Sequence, residues 1–134
     1  MGDDRRILGA EGELRAAHYL EAQGYRITAH NVRAGGVEID LIAERGGTVV
    51  FVEVKTRRSR RFGAPEEAVN ARKRARLLRG AAAWLRQQPR PYRSHRPYRL
   101  IRFDVISCEC RRAPDGQETD WQIRHFEGAF DASG

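Results

Sequence analysis

The stretch VEIDLIAERGGTVVFVEVKTR, residues 37–57, constrains the fold of this chain more than any other. Two runs rich in Val, Ile, Leu and Phe flank Gly46-Gly47, and adjacent glycines between such runs predict a tight antiparallel hairpin. With these glycines as the two turn residues, Arg45 faces Thr48, Ile42 faces Phe51, Asp40 faces Glu53 and Glu38 faces Lys55. Alternation along each strand gathers Glu38, Asp40 and Ile42 on one face, together with Val49, Phe51, Glu53 and Lys55. The other face, Val37-Ile39-Leu41 and Val50-Val52-Val54, is apolar throughout and predicts core. A longer loop that shifts the register by two residues keeps the acids on their common face.

The charges in this hairpin are its puzzle. Directly opposed side chains have Cβ atoms roughly 5 Å apart, and two carboxylates so placed repel unless a proton or cation intervenes. A hard divalent ion, Mg²⁺ or Mn²⁺, is the natural partner, because it takes oxygen ligands. Asp40, Glu53 and the backbone carbonyl of Val54 are the candidate metal ligands. Lys55 beside them is a candidate catalytic group, placed to stabilise a pentavalent phosphate or to orient and deprotonate a water. The plainer alternative is a Glu38–Lys55 ion pair, with Asp40 and Glu53 splayed into solvent.

Two further elements weigh against that alternative. Residues 9–23 predict a helix ended by Gly24, with Ala16, Ala17 and Leu20 as its apolar stripe. Glu13 falls on that stripe, whereas Glu11 and Arg15 face elsewhere. Residues 66–87 predict a second helix, stopped by Pro89, with inward positions Val69, Leu77, Ala81, Trp84 and Leu85. Lys73 lies between Val69 and Leu77 on the same stripe, flanked by Arg72, Arg76, Arg79 and Arg86. Four separate elements therefore aim an ionisable group inward, which decoration of a wet face does not explain.

Composition sharpens the picture. Of the 25 basic residues only Lys55 and Lys73 are lysine. In a chain that otherwise uses arginine for positive charge, both lysines mark positions where a guanidinium is a poor substitute. A net charge of +7 favours polyanionic partners. Arg57, Arg58, Arg60 and Arg61 form a basic loop after the hairpin, placed to grip nucleic-acid phosphates, as are Arg72 and Arg76 on the second helix. Cys108 and Cys110 read as two reduced thiols along one strand, since a C-x-C pair makes a strained disulfide and too small a zinc site. The four histidines are scattered, and no metal-binding spacing nominates one.

Residues 25–32, 98–107 and 121–126 predict further strands, with a polar loop at 111–120. The order is helix, three strands, helix, two strands: an α/β layer with a mixed central sheet flanked by helices. A length of 134 residues suits one domain, with a core over about 9–126 and a frayed tail at 127–134. No apolar run spans a membrane and no signal-peptide pattern opens the chain, so a cytoplasmic location is the expectation.

Asp40 followed by Glu53-Val54-Lys55 resembles the signature of the PD-(D/E)XK superfamily, the restriction-endonuclease-like and Holliday-junction-resolvase-like nucleases. GAEGELRAAHYLEAQGY, NVRAGGVEIDLIA, VVFVEVKTR and RFDVI resemble the YraN-like family of small bacterial proteins over roughly residues 9–107. The resemblance implies an αβββαβ core and a Mg²⁺-dependent nuclease-type site. It casts Glu13 as the first-helix acid, Asp40 and Glu53 as metal-binding acids and Lys55 as the motif lysine. Glu38 belongs to its E-I-D stretch and Lys73 to the basic position on the following helix, both carried as catalytic candidates. Val37 stands where that family more often has glycine, and Ile39 where the superfamily has proline; neither change removes a ligand.

The expected function is metal-dependent phosphodiester hydrolysis on nucleic acid, DNA before RNA, by in-line attack of a water. The alternative is a binding module that keeps the nuclease fold without cutting. A third reading is an adaptor whose basic surface meets ribosomal RNA or an acidic protein. A homodimer suits a resolvase-like role but is not demanded by any sequence feature.

Overall fold

The computed structural model describes residues 2–58, 71–88, 100–112 and 118–130. The chain runs α1 (Gly2–Ala22), β1 (Arg26–Ala34), β2 (Val37–Arg45), β3 (Thr48–Arg58), α2 (Ala71–Gln87), β4 (Leu100–Arg112) and β5 (Glu118–Phe130). The five strands form one sheet in sequential order. All neighbours are antiparallel except β3 and β4, which are parallel and connected through α2. A parallel pair needs such a crossover, because a tight turn only reverses the chain. This is the mixed α/β architecture expected of an αβββαβ core.

Hydrophobic alternation sorts the sheet into two packed faces. Val49, Phe51, Phe103 and Val105 meet Leu77, Ala81 and Trp84 of α2. There the Phe51 ring stacks on Phe103 with centroids 5.6 Å apart and meets Trp84 edge-on at 5.8 Å. On the reverse face Val50, Val52, Ile106 and Cys108 meet Ala16, Ala17 and Leu20 of α1. The inward stripes read from the two helices are those that pack, although Leu85 is only half-buried and Val69 lies outside the described residues.

The hairpin turn is as expected. Gly46 and Gly47 have φ of 56° and 83°, the left-handed values that a two-residue turn between twisted strands requires. Arg45 pairs with Thr48, Ile42 with Phe51 and Leu41 with Val52. The ladder then stops. Asp40 does not pair with Glu53 nor Glu38 with Lys55, because β2 and β3 part beyond Leu41.

The expected faces of β2 are also corrected. Val37 and Ile39 share the α2 side with Ile42, whereas Leu41 and Ala43 lie on the α1 side. Alternation is therefore broken between Ile39 and Leu41. The cause lies across the ladder. Between the pairs His30–Leu41 and Val32–Ile39 stand Asn31 and Asp40, and Asn31 adopts a left-handed φ of 45°. One residue on each strand is spent on the kink, so the alternation of both is reset.

Element ends differ from the sequence reading in the same direction: α1 begins at Gly2, β4 runs to Arg112 and β5 spans Glu118–Phe130. Residues 127–130 thus continue β5 rather than fraying, and 131–134 lie outside the described residues, as do 66–70 at the expected start of α2. Long β4–β5 pairing explains the extension, since each added ladder bond holds residues whose propensity alone is indifferent. Among the described residues no helix is long and apolar enough to cross a membrane.

Candidate active site

The parting of β2 and β3 makes the site. Asp40, at the kink, turns its carboxylate toward β3, where Oδ2 accepts a hydrogen bond from the Val54 backbone N–H at 2.8 Å. A side chain so substitutes for a strand carbonyl just where the ladder ends. Burial pushes the Asp40 pKa up to about 7, with the neighbouring Glu53 charge adding to the rise and the Val54 N–H opposing it. Glu13 and Lys73 are also near enough to act on it, the first raising and the second lowering.

Glu53 follows on β3, on the α2 side, and is 9% exposed. Its Oε1 is 2.5 Å from Lys73 Nζ and 3.4 Å from Lys55 Nζ. The chain's two lysines, one on a strand and one on a helix, converge on a single carboxylate oxygen. Burial and the adjacent Lys73 lower the Lys55 pKa against the opposing pull of Glu53. Burial is the largest single influence and pulls Lys73 down, but its bonds to Glu53 and Lys55 and the charges of Glu53 and Asp40 together leave it raised. The repulsion anticipated between Asp40 and Glu53 is thus met here by ammonium groups of the chain itself.

Around these groups lies a cavity of about 420 Å³. Its lining includes Asp40 and Glu53, Glu38 and Arg33 from the β1–β2 hairpin, and Arg72, Lys73 and Arg76 from α2. The charges are sorted by depth: Asp40 and Glu53 are withdrawn from solvent, whereas Arg33, Arg72 and Arg76 are exposed at the rim. Glu38 is exposed on the cavity wall, and its cross-strand neighbour is Arg33 rather than Lys55. Arg57 and Arg58 extend β3 instead of opening a loop, and Arg60 and Arg61 lie outside the described residues. Arg33 escaped the sequence reading because its strand is polar and only the hairpin's return carries it to the rim.

Glu13 reaches the neighbourhood through a close helix–strand contact. A Cβ on Gly12 would stand 2.1 Å from Thr56 Oγ1, so only glycine lets α1 lie this near β3. The Gly12 carbonyl accepts from the Cys108 thiol at 3.4 Å. Cys108 and Cys110 are both free and buried, as two reduced thiols on one strand should be. Among the described residues no three His, Cys, Asp or Glu side chains gather closely enough to hold a metal by themselves.

A second polar network was not anticipated. Asp104 on β4 is 1% exposed and points to the α1 side of the sheet. Its Oδ1 accepts from Arg102 Nε at 2.8 Å and the Gly128 N–H at 3.0 Å, and its Oδ2 from Arg102 Nη2 at 2.9 Å. His125 Nε2 lies 2.6 Å from that same Oδ2, and its Nδ1 is 3.1 Å from the Tyr19 hydroxyl. Burial by itself would raise the Asp104 pKa, but the donors from His125, Arg102 and Gly128 together hold it below the ordinary value. The available signal was a lone acid inside the apolar run RFDVI, the same anomaly that marks Asp40 and Glu53.

Residues 12–108 match the model of the uncharacterised protein family UPF0102. A UPF0102 protein of Symbiobacterium thermophilum is 47% identical over 130 residues, covering 95% of this chain and 98% of its own length. One from Trichlorobacter lovleyi is 42% identical over 132 residues, covering 98% and 95% respectively. A third, from Nocardia farcinica, is 47% identical over 104 residues, covering 78% and 77%.

Proposed function

The chain belongs to the UPF0102 family, and from its own site we propose that it is a divalent-metal-dependent phosphodiesterase of the PD-(D/E)XK nuclease type, acting on nucleic acid and on DNA in particular. The observation that carries this reading is the sorting of charge by depth: acids withdrawn at Asp40 and Glu53, arginines exposed at the rim of the same cavity. Such a gradient suits a small hard cation below and a phosphodiester above.

The donor set fits Mg²⁺ or Mn²⁺. Asp40 and Glu53 both line the cavity, and burial first and the Glu53 charge second raise the Asp40 pKa, so a divalent ion there would offset a real cost of keeping both carboxylates charged. Both are hard oxygen donors, and the Val54 carbonyl would complete the protein's share, leaving the rest to water. When bound, the ion supplies Lewis-acid polarisation of the phosphodiester. The chain's own residues do the remainder. Lys55 stands beside Glu53, its Nζ 3.4 Å from Oε1, suited as an ammonium to neutralise charge on the phosphate and to orient the attacking water. Arg72 and Arg76 hold the phosphate backbone at the rim, with Arg57 and Arg58 further along. Glu13 biases the protonation of Asp40 from the α1 side. YraN-like membership of the nuclease superfamily and a cytoplasmic site of action are part of the same reading.

The test is a Mn²⁺ and Mg²⁺ cleavage panel over linear, forked and four-way DNA. The parent cuts at least one substrate, whereas Asp40→Ala and Glu53→Ala lose cleavage and retain salt-sensitive DNA binding. Cleavage by the double-alanine protein at the parent's rate overturns the site. Metal-independent binding by a parent that cuts nothing favours the non-catalytic module, whose supporting observation is that Lys55 and Lys73 already neutralise Glu53.

A further inference from the structure

Three features of Glu53 bear on how the site is filled. Both lysines address the same oxygen, Oε1, from different elements. Their freedom differs: Lys55 stands two residues along the same strand with its side chain 20% exposed, while Lys73 reaches across from α2 with its side chain 35% exposed. Lys73 also lines the cavity between Arg72 and Arg76, so the rim is within the sweep of its four-carbon stem. An ammonium on a flexible stem is a mobile point charge, in a way that the fork of an arginine is not. Two ammonium groups and a divalent ion on one carboxylate repel one another, and the ion's entry requires one of them to leave.

We propose that Lys73 is a resident counter-cation of Glu53 that a divalent ion displaces, and that a polynucleotide phosphate bound beside Arg72 and Arg76 receives the displaced ammonium, making uptake of metal and nucleic acid mutually cooperative. The inference rests on the nuclease-type reading and adds to it a regulation of the same site. Without nucleic acid, Lys73 neutralises Glu53 and holds metal affinity down. With a phosphate at the rim, Lys73 finds a second anion and Glu53 is released to the ion. Linkage makes the effect reciprocal: whatever factor DNA adds to metal affinity, metal adds to DNA affinity.

The experiment measures Mn²⁺ binding by calorimetry and free-Mn²⁺ electron paramagnetic resonance, with and without a phosphorothioate DNA oligonucleotide, for the parent, Lys73→Met, Lys73→Arg and Arg76→Met. In the absence of DNA, Lys73→Met is expected to bind Mn²⁺ about tenfold more tightly than the parent, as loss of one cation beside a poorly exposed carboxylate implies. Lys73→Arg stays as weak as the parent. Arg76→Met, which removes the same charge from the rim, changes Mn²⁺ affinity much less. DNA tightens Mn²⁺ binding to the parent, and this coupling collapses in Lys73→Met. Mn²⁺ binding by the parent that is unchanged in Lys73→Met, or raised equally by Arg76→Met, overturns the displacement alone. Failure of both the parent and Lys73→Met to take up Mn²⁺ overturns the metal-dependent reading and the displacement with it.

Discussion

Asp40 illustrates how one side chain sets the pH response of the site. Its folded pKa of about 7 lies above the ordinary carboxyl value because of burial and then Glu53. The folded state thus holds a proton that the unfolded chain has released, so stability falls as pH rises from roughly 4 to 7. Asp40→Asn keeps a carbonyl acceptor for the Val54 N–H and removes the ionisation. It should match the parent near pH 4 and exceed it by about 2 kcal/mol at pH 8, after allowing for partial solvent screening. Urea denaturation at the two pH values checks this, and equal stability at pH 8 would contradict it. Asp104 runs the other way. Its pKa is depressed, so its stabilisation is complete above the unfolded carboxyl pKa and is lost as pH falls through the folded value. Asp104→Asn removes the buried carboxylate from the half-buried Arg102 guanidinium, which keeps the Tyr25 hydroxyl, and a loss of about 2 kcal/mol at pH 7 is expected by thermal or chemical unfolding.

At the scale of elements, the site depends on two close fits that the residues alone do not advertise. One is the approach of α1 to β3 at Gly12. Gly12→Ala introduces a Cβ 2.1 Å from Thr56 Oγ1 and 2.7 Å from Thr56 Cγ2, so the helix or the strand end must shift. Overpacking of this kind costs about 1–3 kcal/mol. Thr56→Ala removes the two nearest clashing atoms and keeps only the Thr56 Cβ, 2.9 Å away, so the Gly12→Ala/Thr56→Ala pair should recover part of that loss in a double-mutant cycle. Strict additivity would argue against the contact. The other fit is the shared kink at Asn31 and Asp40, which splays β2 from β3 and frees Asp40 to cap the Val54 N–H. Strict alternation reads both strands as regular, and so it puts Val37 and Ile39 on the face of Val50 and Val52, whereas only Leu41 lies there; Asp40 does stand beside β3.

Across the whole molecule, an excess charge of +7 becomes useful only where the fold concentrates it. Arg33, Arg72 and Arg76 come from β1 and α2, yet meet at one rim above the acids. Each phosphate neutralised contributes a slope of about 0.9 to the fall of log affinity with log salt on duplex DNA. The Arg72→Ala/Arg76→Ala double variant should lower that slope by about 1–2 in anisotropy titrations between about 50 and 200 mM salt. An unchanged slope would remove these arginines from the interface.

The sequence by itself determined the element order, the Gly-Gly hairpin, the two helical stripes and the residue types of the site. Each follows from local periodicity or from steric demands that neighbours along the chain impose. It also flagged Lys55 and Lys73 by their rarity. Tertiary structure decided what these groups touch. The lysines meet on Glu53 because α2 crosses back over β3. Glu38 turns to the wall beside Arg33 because β2 kinks opposite Asn31. Asp104, already beside Arg102 on its own strand, gathers His125 and the Gly128 N–H because β5 closes on β4. Contacts between distant segments depend on how elements dock and where ladders break, and neither is encoded in the period of any single strand or helix.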